Sequence, residues 1–197
     1  MGYSRCVAAL VVCVVALAVS IGSSADEPAR KGERTAIHVG TPPDVVQRML
    51  EVARVTSRDV VYDLGCGDGR IVIAAAARYQ CQAVGFEIDP DVVAEARANV
   101  ARRGVEKLVR IEQRDIFRVD LRPASVVTLY LLPEMNVQLL PQLERMRAGA
   151  RIVAHDFGID GVTPDQHLTM ISRENQVPRD IFLYTLPLKK PPQPAAD

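Results

Sequence analysis

The chain predicts an α/β fold: a doubly wound, mostly parallel seven-stranded sheet with a C-terminal antiparallel hairpin. Three observations carry that expectation. From about residue 41 onward, short apolar runs alternate with segments of helical period, the pattern of strands joined by helical crossovers. One junction, Val61-Tyr-Asp-Leu-Gly-Cys-Gly-Asp-Gly-Arg70, passes from a strand through three glycines into a helix. Near the other end, two strand-like runs flank Glu174-Asn175-Gln176 with no helical segment between them, which reads as a hairpin.

Thr41-Pro42-Pro43-Asp44 opens the first helix, because proline is tolerated in a first turn and an acid suits the N-terminus. Val45, Val46, Met49, Leu50 and Ala53 form its apolar stripe. A strand over Val60–Asp63 and a helix from Gly69 to Arg78 follow. The second strand is Ala83–Glu87, and Pro90 begins a helix that Gly104 ends. Further strands are expected at Leu108–Glu112, Ser125–Tyr130 and Arg151–His155, with one helix over Asn136–Arg145. The hairpin strands are Leu168–Ser172 and Asp180–Leu186. This places one domain at 41–187, preceded by a loose polar linker at 26–40 and followed by a proline-rich tail at 188–197.

Residues 1–25 are different in kind. Arg5 precedes an uncharged apolar run, Cys6 to Ile21, and small residues follow up to Ala25. That order reads as a secretory signal cleaved after Ala25. The alternative is a retained anchor facing the cytoplasm, since the run is marginal for spanning a bilayer. The expected localisation is therefore exported or membrane-associated, with membrane contact through residues 6–21. Basic and acidic side chains balance at 24 each among 197 residues, which argues against a nonspecific nucleic-acid binder. Four cysteines, two of them in the leader, are too few for a disulfide framework. His38, His155 and His167 have no metal-ligand spacing, so no metal site is expected.

The glycine loop carries the ligand argument. A strand, a glycine turn and a helix N-terminus form a nucleotide-like site at the carboxyl edge of a parallel sheet. A dinucleotide fingerprint needs G-x-G-x-x-G, whereas Gly65, Gly67 and Gly69 are spaced G-x-G-x-G, and Arg70 takes the dinucleotide position. Asp63, just before the loop, would repel a pyrophosphate and suits an amino-acid ammonium. An adenosine-like ligand with an amino group and no phosphate fits, namely S-adenosylmethionine, with S-adenosylhomocysteine as product. Cys66 lies in the same loop as a small filling side chain and is counted with the loop among the donor-binding residues.

Glu87 ends the second strand, where a carboxylate can accept from both ribose hydroxyls, and Ile88 can pack on the adenine. Asp115, after the third strand, can accept from the adenine amine, with Ile116 beside the ring. Asp89 is assigned to capping the next helix. After the fourth strand comes Tyr130-Leu-Leu-Pro-Glu-Met-Asn136. The Asn/Asp-Pro-Pro-aromatic tetrad common in nucleic-acid amino methyltransferases is missing there. Tyr130 and Glu134 are the polar candidates beside the sulfonium, and His155, ending the fifth strand, is a candidate general base.

These residues resemble a class I S-adenosylmethionine-dependent methyltransferase with its Rossmann-like fold, over about residues 40–187. A closer likeness is to the small protein-lysine methyltransferases that act on ATP-synthase c subunits and related targets. It rests on Thr41-Pro-Pro-Asp-Val-Val46, Asp63–Ala76 and Val84-Gly-Phe-Glu-Ile-Asp-Pro90, and continues more weakly through Val126-Val127, Pro133-Glu134-Met135 and Gly149-Ala150-Arg151. The resemblance implies methyl transfer to a protein lysine, with Thr41 and Pro42 in a segment closing over the donor's methionine end. It also implies that Asp63, Gly65, Gly67 and Gly69 line the donor. A membrane protein is the acceptor it suggests. A small-molecule or lipid-like acceptor, or a noncatalytic donor-binding module, are the alternatives.

Overall fold

The computed structural model describes residues 40–191. The leader, most of the linker and residues 192–197 lie outside that range. Seven strands form one sheet in the order β3-β2-β1-β4-β5-β7-β6. They are β1 Val60–Leu64, β2 Gln82–Glu87, β3 Val109–Gln113, β4 Val126–Leu129, β5 Arg151–His155, β6 Gln166–Ile171 and β7 Pro178–Thr185. β1 to β5 are mutually parallel, while β7 runs antiparallel to both β5 and β6. The doubly wound sheet with its terminal hairpin is therefore the fold that the periodicity predicts.

Alternation along the strands divides the core. Val61, Ala83, Val126 and Val153 face helices α1 Pro43–Val52, α2 Arg70–Tyr79 and α3 Pro90–Arg103. Tyr62, Leu64, Val84, Phe86, Val127, Leu129 and Ile152 face the short helices α4 Pro133–Gln138 and α5 Leu140–Leu143. Each fully buried aliphatic side chain contributes about 1.5–3 kcal/mol. Tyr62 and Phe86 add an edge-to-face contact with centroids 5.0 Å apart.

The stripe of α1 is buried as its period requires, through Val45, Val46, Met49 and Leu50. Asp89 caps α3 by accepting from Asp91 N at 2.9 Å, and Gly104 closes that helix in the left-handed conformation. The single helix expected over Asn136–Arg145 is instead two short ones. Pro141 has no N–H for the preceding turn, and its ring crowds the carbonyl four residues earlier, so α4 ends at Gln138 and α5 restarts at Leu140. Among the described residues no helix is long and apolar enough to cross a membrane.

Candidate active site

The sheet order changes direction at β1, which pairs with β2 on one side and with β4 on the other. Chain segments leaving the carboxyl ends of these strands therefore diverge and leave a crevice for a ligand. The glycine loop lies at that point. Gly65, Gly67 and Gly69 all have positive φ, and the amides of Gly65 and Cys66 both donate to Phe86 O, at 2.9 and 3.0 Å. A Cβ built on Gly67 would meet nothing within 4 Å, so its backbone is open to a ligand from that side. Gly69 is different: a Cβ there would pack on Ala96, Ile111 and Ile73, so it serves the close approach of α2 to its neighbours.

Asp63 is buried, and its Oδ1 accepts from the Thr128 hydroxyl at 2.6 Å. Its Oδ2 is buried without a hydrogen-bond partner. Burial raises its pKa to about 7, with Thr128 opposing the rise and the nearby Asp68 and Glu87 charges adding to it. An acceptor held in a dry site with one oxygen free suits an ammonium. Glu87 is also buried. Its Oε2 accepts from Gly67 N at 3.2 Å, and its Oε1 from Ile88 N at 2.8 Å and Asp89 N at 3.1 Å. A carboxylate offers about four acceptor positions, so capacity remains for a ribose hydroxyl while the same group pins the glycine loop. Ile88 is 65% exposed at this edge, as an apolar side chain waiting for a planar ring would be. The orphaned Asp63 oxygen, the open Gly67 backbone and exposed Ile88 together fit S-adenosylmethionine.

Other expected donor contacts are placed differently. The Cys66 side chain turns into the core: a Cβ on Gly85 would collide with its Sγ. Burial pushes its pKa far above the usual thiol range, and the Asp63 charge adds to this. Only the Cys66 backbone belongs to the loop. Ile116 is likewise buried with the α4–α5 side of the core. Asp115 accepts from Phe117 N at 3.0 Å and caps the 3-10 turn Ile116–Arg118, with Arg118 3.6 Å away.

At the β4 and β5 ends the polar candidates form one cluster. The Tyr130 ring packs on the His155 imidazole, centroids 4.1 Å apart. Burial raises the Tyr130 pKa, and its hydroxyl interacts with both Asp156 and Arg179. Arg179 Nη1 donates to Asp156 Oδ2 at 2.6 Å, while Arg179 Nε is buried without a partner. Asp156 holds a left-handed φ of 58°. His155 has no exposed surface and hydrogen-bonds through Nδ1 to Thr41 Oγ1 at 3.1 Å. Its Nε2 faces Asp156 Oδ1 at 3.3 Å without hydrogen-bonding geometry. Burial lowers its pKa to about 4, with the Arg179 charge helping and Asp156 opposing. The structure thus makes His155 a neutral post under Thr41, and the expected general base does not reach the surface. Glu134 is exposed in the first turn of α4.

Sequence reasoning missed Asp156, Arg179 and the Asp68–Arg70 pair. It also missed Asn136, which is buried and donates to Phe157 O and Gly158 O at 3.2 and 3.1 Å, joining α4 to the segment after β5. Its position in Tyr130–Asn136, beside the expected acceptor site, was visible in the sequence, but its burial was not.

A seven-stranded sheet of this order, with an acid-tipped glycine loop and a buried carboxylate ending β2, defines an S-adenosylmethionine-dependent methyltransferase. The family model described as the ANTKMT methyltransferase domain matches residues 63–166, and the chain belongs to that family. It is 41% identical over 151 residues to a protein-lysine N-methyltransferase of Saccharolobus islandicus (strain REY15A), covering 76% of this chain and 92% of the relative. It is 38% identical over 125 residues to the Homo sapiens lysine N-methyltransferase of the ATP synthase c subunit, covering 63% of this chain but only 52% of the human protein. Among solved structures, an RNA methyltransferase from Salinibacter ruber in complex with S-adenosyl-L-homocysteine is 44% identical, with a TM-score of 0.72. That match covers 81% of this chain and all of the Salinibacter chain.

Proposed function

We propose that this methyltransferase modifies the side-chain amine of a protein lysine. The observation that carries the reading is the 41% identity to a protein-lysine N-methyltransferase across 92% of that relative. The acceptor edge supports it. Leu132, after β4, and Phe157, after β5, are exposed apolar side chains on adjacent strand ends. Tyr130, Asp156 and Arg179 form a polar cluster at the same end of the sheet.

A lysine must shed its proton before it can attack, and its ordinary pKa is about 10.4. Apolar side chains at the entry remove water from the ammonium and favour the neutral amine. When bound, the donor supplies a methyl group on a sulfonium, already activated for in-line displacement. The protein's part is positioning: Asp63 and Glu87 fix the donor's two ends, and Tyr130 sits across the crevice at the tip of β4.

If it is retained, the apolar run 6–21 supports a membrane-protein acceptor, because it would then keep the domain near a bilayer; mature N-terminal sequencing with cell fractionation tests that localisation. An RNA acceptor is the second reading, favoured by the description of the Salinibacter structure. The balanced charge and the missing tetrad favour lysine over it. The deciding experiment incubates the full chain and methyl-labelled donor with membrane extract, total RNA and a solvent-extractable fraction separately. Label on a discrete protein band, located by mass spectrometry to a lysine, supports the proposal. Label confined to RNA or to the solvent-extractable fraction overturns it.

A further inference from the structure

Asn136 has no exposed surface, and its side-chain amide is held from one end only. Nδ2 donates to Phe157 O at 3.2 Å and to Gly158 O at 3.1 Å. The opposite flip would set an oxygen against those two carbonyls, so Oδ1 is the free end. Oδ1 is buried and has no hydrogen-bond partner. A buried amide oxygen normally finds a donor, because leaving it unpaired forfeits its bond to water. A staple joining α4 to the segment after β5 uses only Nδ2 and leaves the oxygen unexplained.

The surroundings of this oxygen indicate the missing donor. Asn136 N donates to Leu132 O at 3.2 Å, so the residue is tied to Leu132 on one side and to Phe157 on the other. These are the apolar side chains at the β4 and β5 exits, 60% and 39% exposed. An aliphatic stem lying between them would bring its polar end to Asn136. The segment carrying Phe157 is itself fixed, since Ile159 N donates to the Tyr184 hydroxyl at 2.8 Å. Charge nearby is balanced, because Asp156 is paired with Arg179. A neutral carbonyl beside paired charges binds an N–H without holding an extra proton on it, and a nucleophilic amine requires that.

We propose that Asn136 Oδ1 accepts a hydrogen bond from the acceptor amine and orients its lone pair toward the donor's methyl group, which makes Asn136 a catalytic residue. The proposal rests on the lysine reading and names the atom that recognises the amine. Oδ1 is closed to solvent, so seating the amine requires the Leu132 or Phe157 side chain to turn aside. The lysine ammonium first gives a proton to water. Its lone pair then forms the N–C bond while the electrons of the broken C–S bond stay on sulfur, and the methylated ammonium loses a further proton to water.

The test uses the full chain, labelled with heavy nitrogen in asparagine and saturated with S-adenosylhomocysteine. The sequence has three asparagines, Asn99, Asn136 and Asn175, so substituting Asn99 and Asn175 assigns every side-chain amide signal in the NMR spectrum. The probes are n-butylamine, which reproduces the end of a lysine side chain, and butyltrimethylammonium, which carries the charge but no N–H. n-Butylamine is expected to shift the Asn136 amide signals and leave those of Asn99 and Asn175 in place, and butyltrimethylammonium to shift none of them. Equal shifts with both probes, or no shift at Asn136, overturn the proposal. The pH profile of lysine labelling is a second readout. Asn136→Asp sets a negative charge beside the amine and should move the rising limb upward by roughly one pH unit. A merely structural residue would lower the rate and leave the limb where it is, and that result overturns the contact. If Asn136→Asp does not fold, the amine titration of the wild-type chain decides alone. Wild-type labelling that reaches no lysine overturns the acceptor reading itself, whereas lysine labelling with an unmoved Asn136 signal overturns this proposal only.

Discussion

Thr128 on β4 donates its hydroxyl to Asp63 Oδ1 on β1 at 2.6 Å, across the seam where the sheet order reverses, and leaves Oδ2 of the same carboxylate unpartnered. The relationship ties donor recognition to pH. Burial holds the Asp63 pKa at about 7, so the unliganded site carries a proton in weakly acidic solution. An ammonium entering that site expels it. Product binding should release about one proton per site near pH 6 and almost none near pH 8.5. Calorimetry in two buffers of different ionisation enthalpy measures the difference. Equal apparent enthalpies at pH 6 would rule out Asp63 as the ammonium partner.

The same residue predicts opposite effects on folding and binding. A carboxyl whose folded pKa lies above its unfolded value near 3.8 binds its proton more tightly when native. Asp63 therefore subtracts stability as pH rises from about 4 through 7. Asp63→Asn should make the ligand-free protein more stable than wild type at pH 8, by about 1–3 kcal/mol. It should also weaken product binding by roughly tenfold or more, the loss of a hydrogen bond to a charged group. Urea midpoints and calorimetry on one preparation report both.

Glu87→Ala should impair both binding and folding. Three backbone amides, of Gly67, Ile88 and Asp89, lose a charged acceptor at once. Donor affinity should fall by about 1.5–3 kcal/mol, and the urea midpoint should fall as well. Glu87→Gln keeps an acceptor oxygen and should recover most of the stability and less of the affinity. An unchanged affinity in both variants would place Glu87 outside the ribose site.

His155 predicts an absence in the rate profile and a presence in the stability profile. With its pKa held at about 4 by burial, it stays neutral wherever the enzyme is assayed, so the pH–rate curve for methyl transfer should show no limb near 6.5. Its folded pKa lies below the unfolded 6.5, so stability present above pH 6.5 is lost as pH falls toward 4. His155→Gln should flatten that acid loss, measured by urea midpoints from pH 4 to 7.5. A rate limb near 6.5 that disappears in His155→Gln would restore the general-base assignment.

Asp156→Asn tests the acceptor side. Asparagine tolerates the left-handed φ of 58° but leaves Arg179 without its counter-charge. Methyl transfer should drop by roughly tenfold or more while product affinity stays within about twofold. Stability should fall by up to about 3 kcal/mol, the upper end for stranding one half of a partly buried pair. A parallel fall in product affinity would move Asp156 into the donor site.

The donor half was legible in the sequence because its determinants are local. Asp63 and the three glycines lie within seven consecutive residues, and their spacing alone separates a sulfonium donor from a dinucleotide. Glu87 is read from its place at the end of an apolar strand. The acceptor half depends on tertiary register. Arg179 meets Asp156 only because β7 returns antiparallel beside β5, with Ile181 opposite His155. Arg70 was visible as a breach of the dinucleotide spacing, but its hold on Thr41 spans 29 positions of chain. Pro141 was a helix breaker in plain view, and the apolar pattern around it outweighed that local signal. Cys66 was expected as a small filler among the donor-binding residues, but which way its thiol turns depends on Gly85 of the neighbouring strand.

The terminal hairpin has a consequence for biosynthesis. The glycine loop, Glu87 and Thr128 all belong to the parallel half of the sheet, which leaves the ribosome first. Arg179, Ser172 and Arg173 follow on the hairpin and its turn. A nascent chain reaching only the end of β5 already carries Asp63, the glycine loop and Glu87, but it lacks the counter-charge of Asp156 and the anchor that Ser172 and Arg173 give Asp44. The Asp156–Arg179 pair and the anchor of Asp44 are thus completed only once the hairpin has been synthesised.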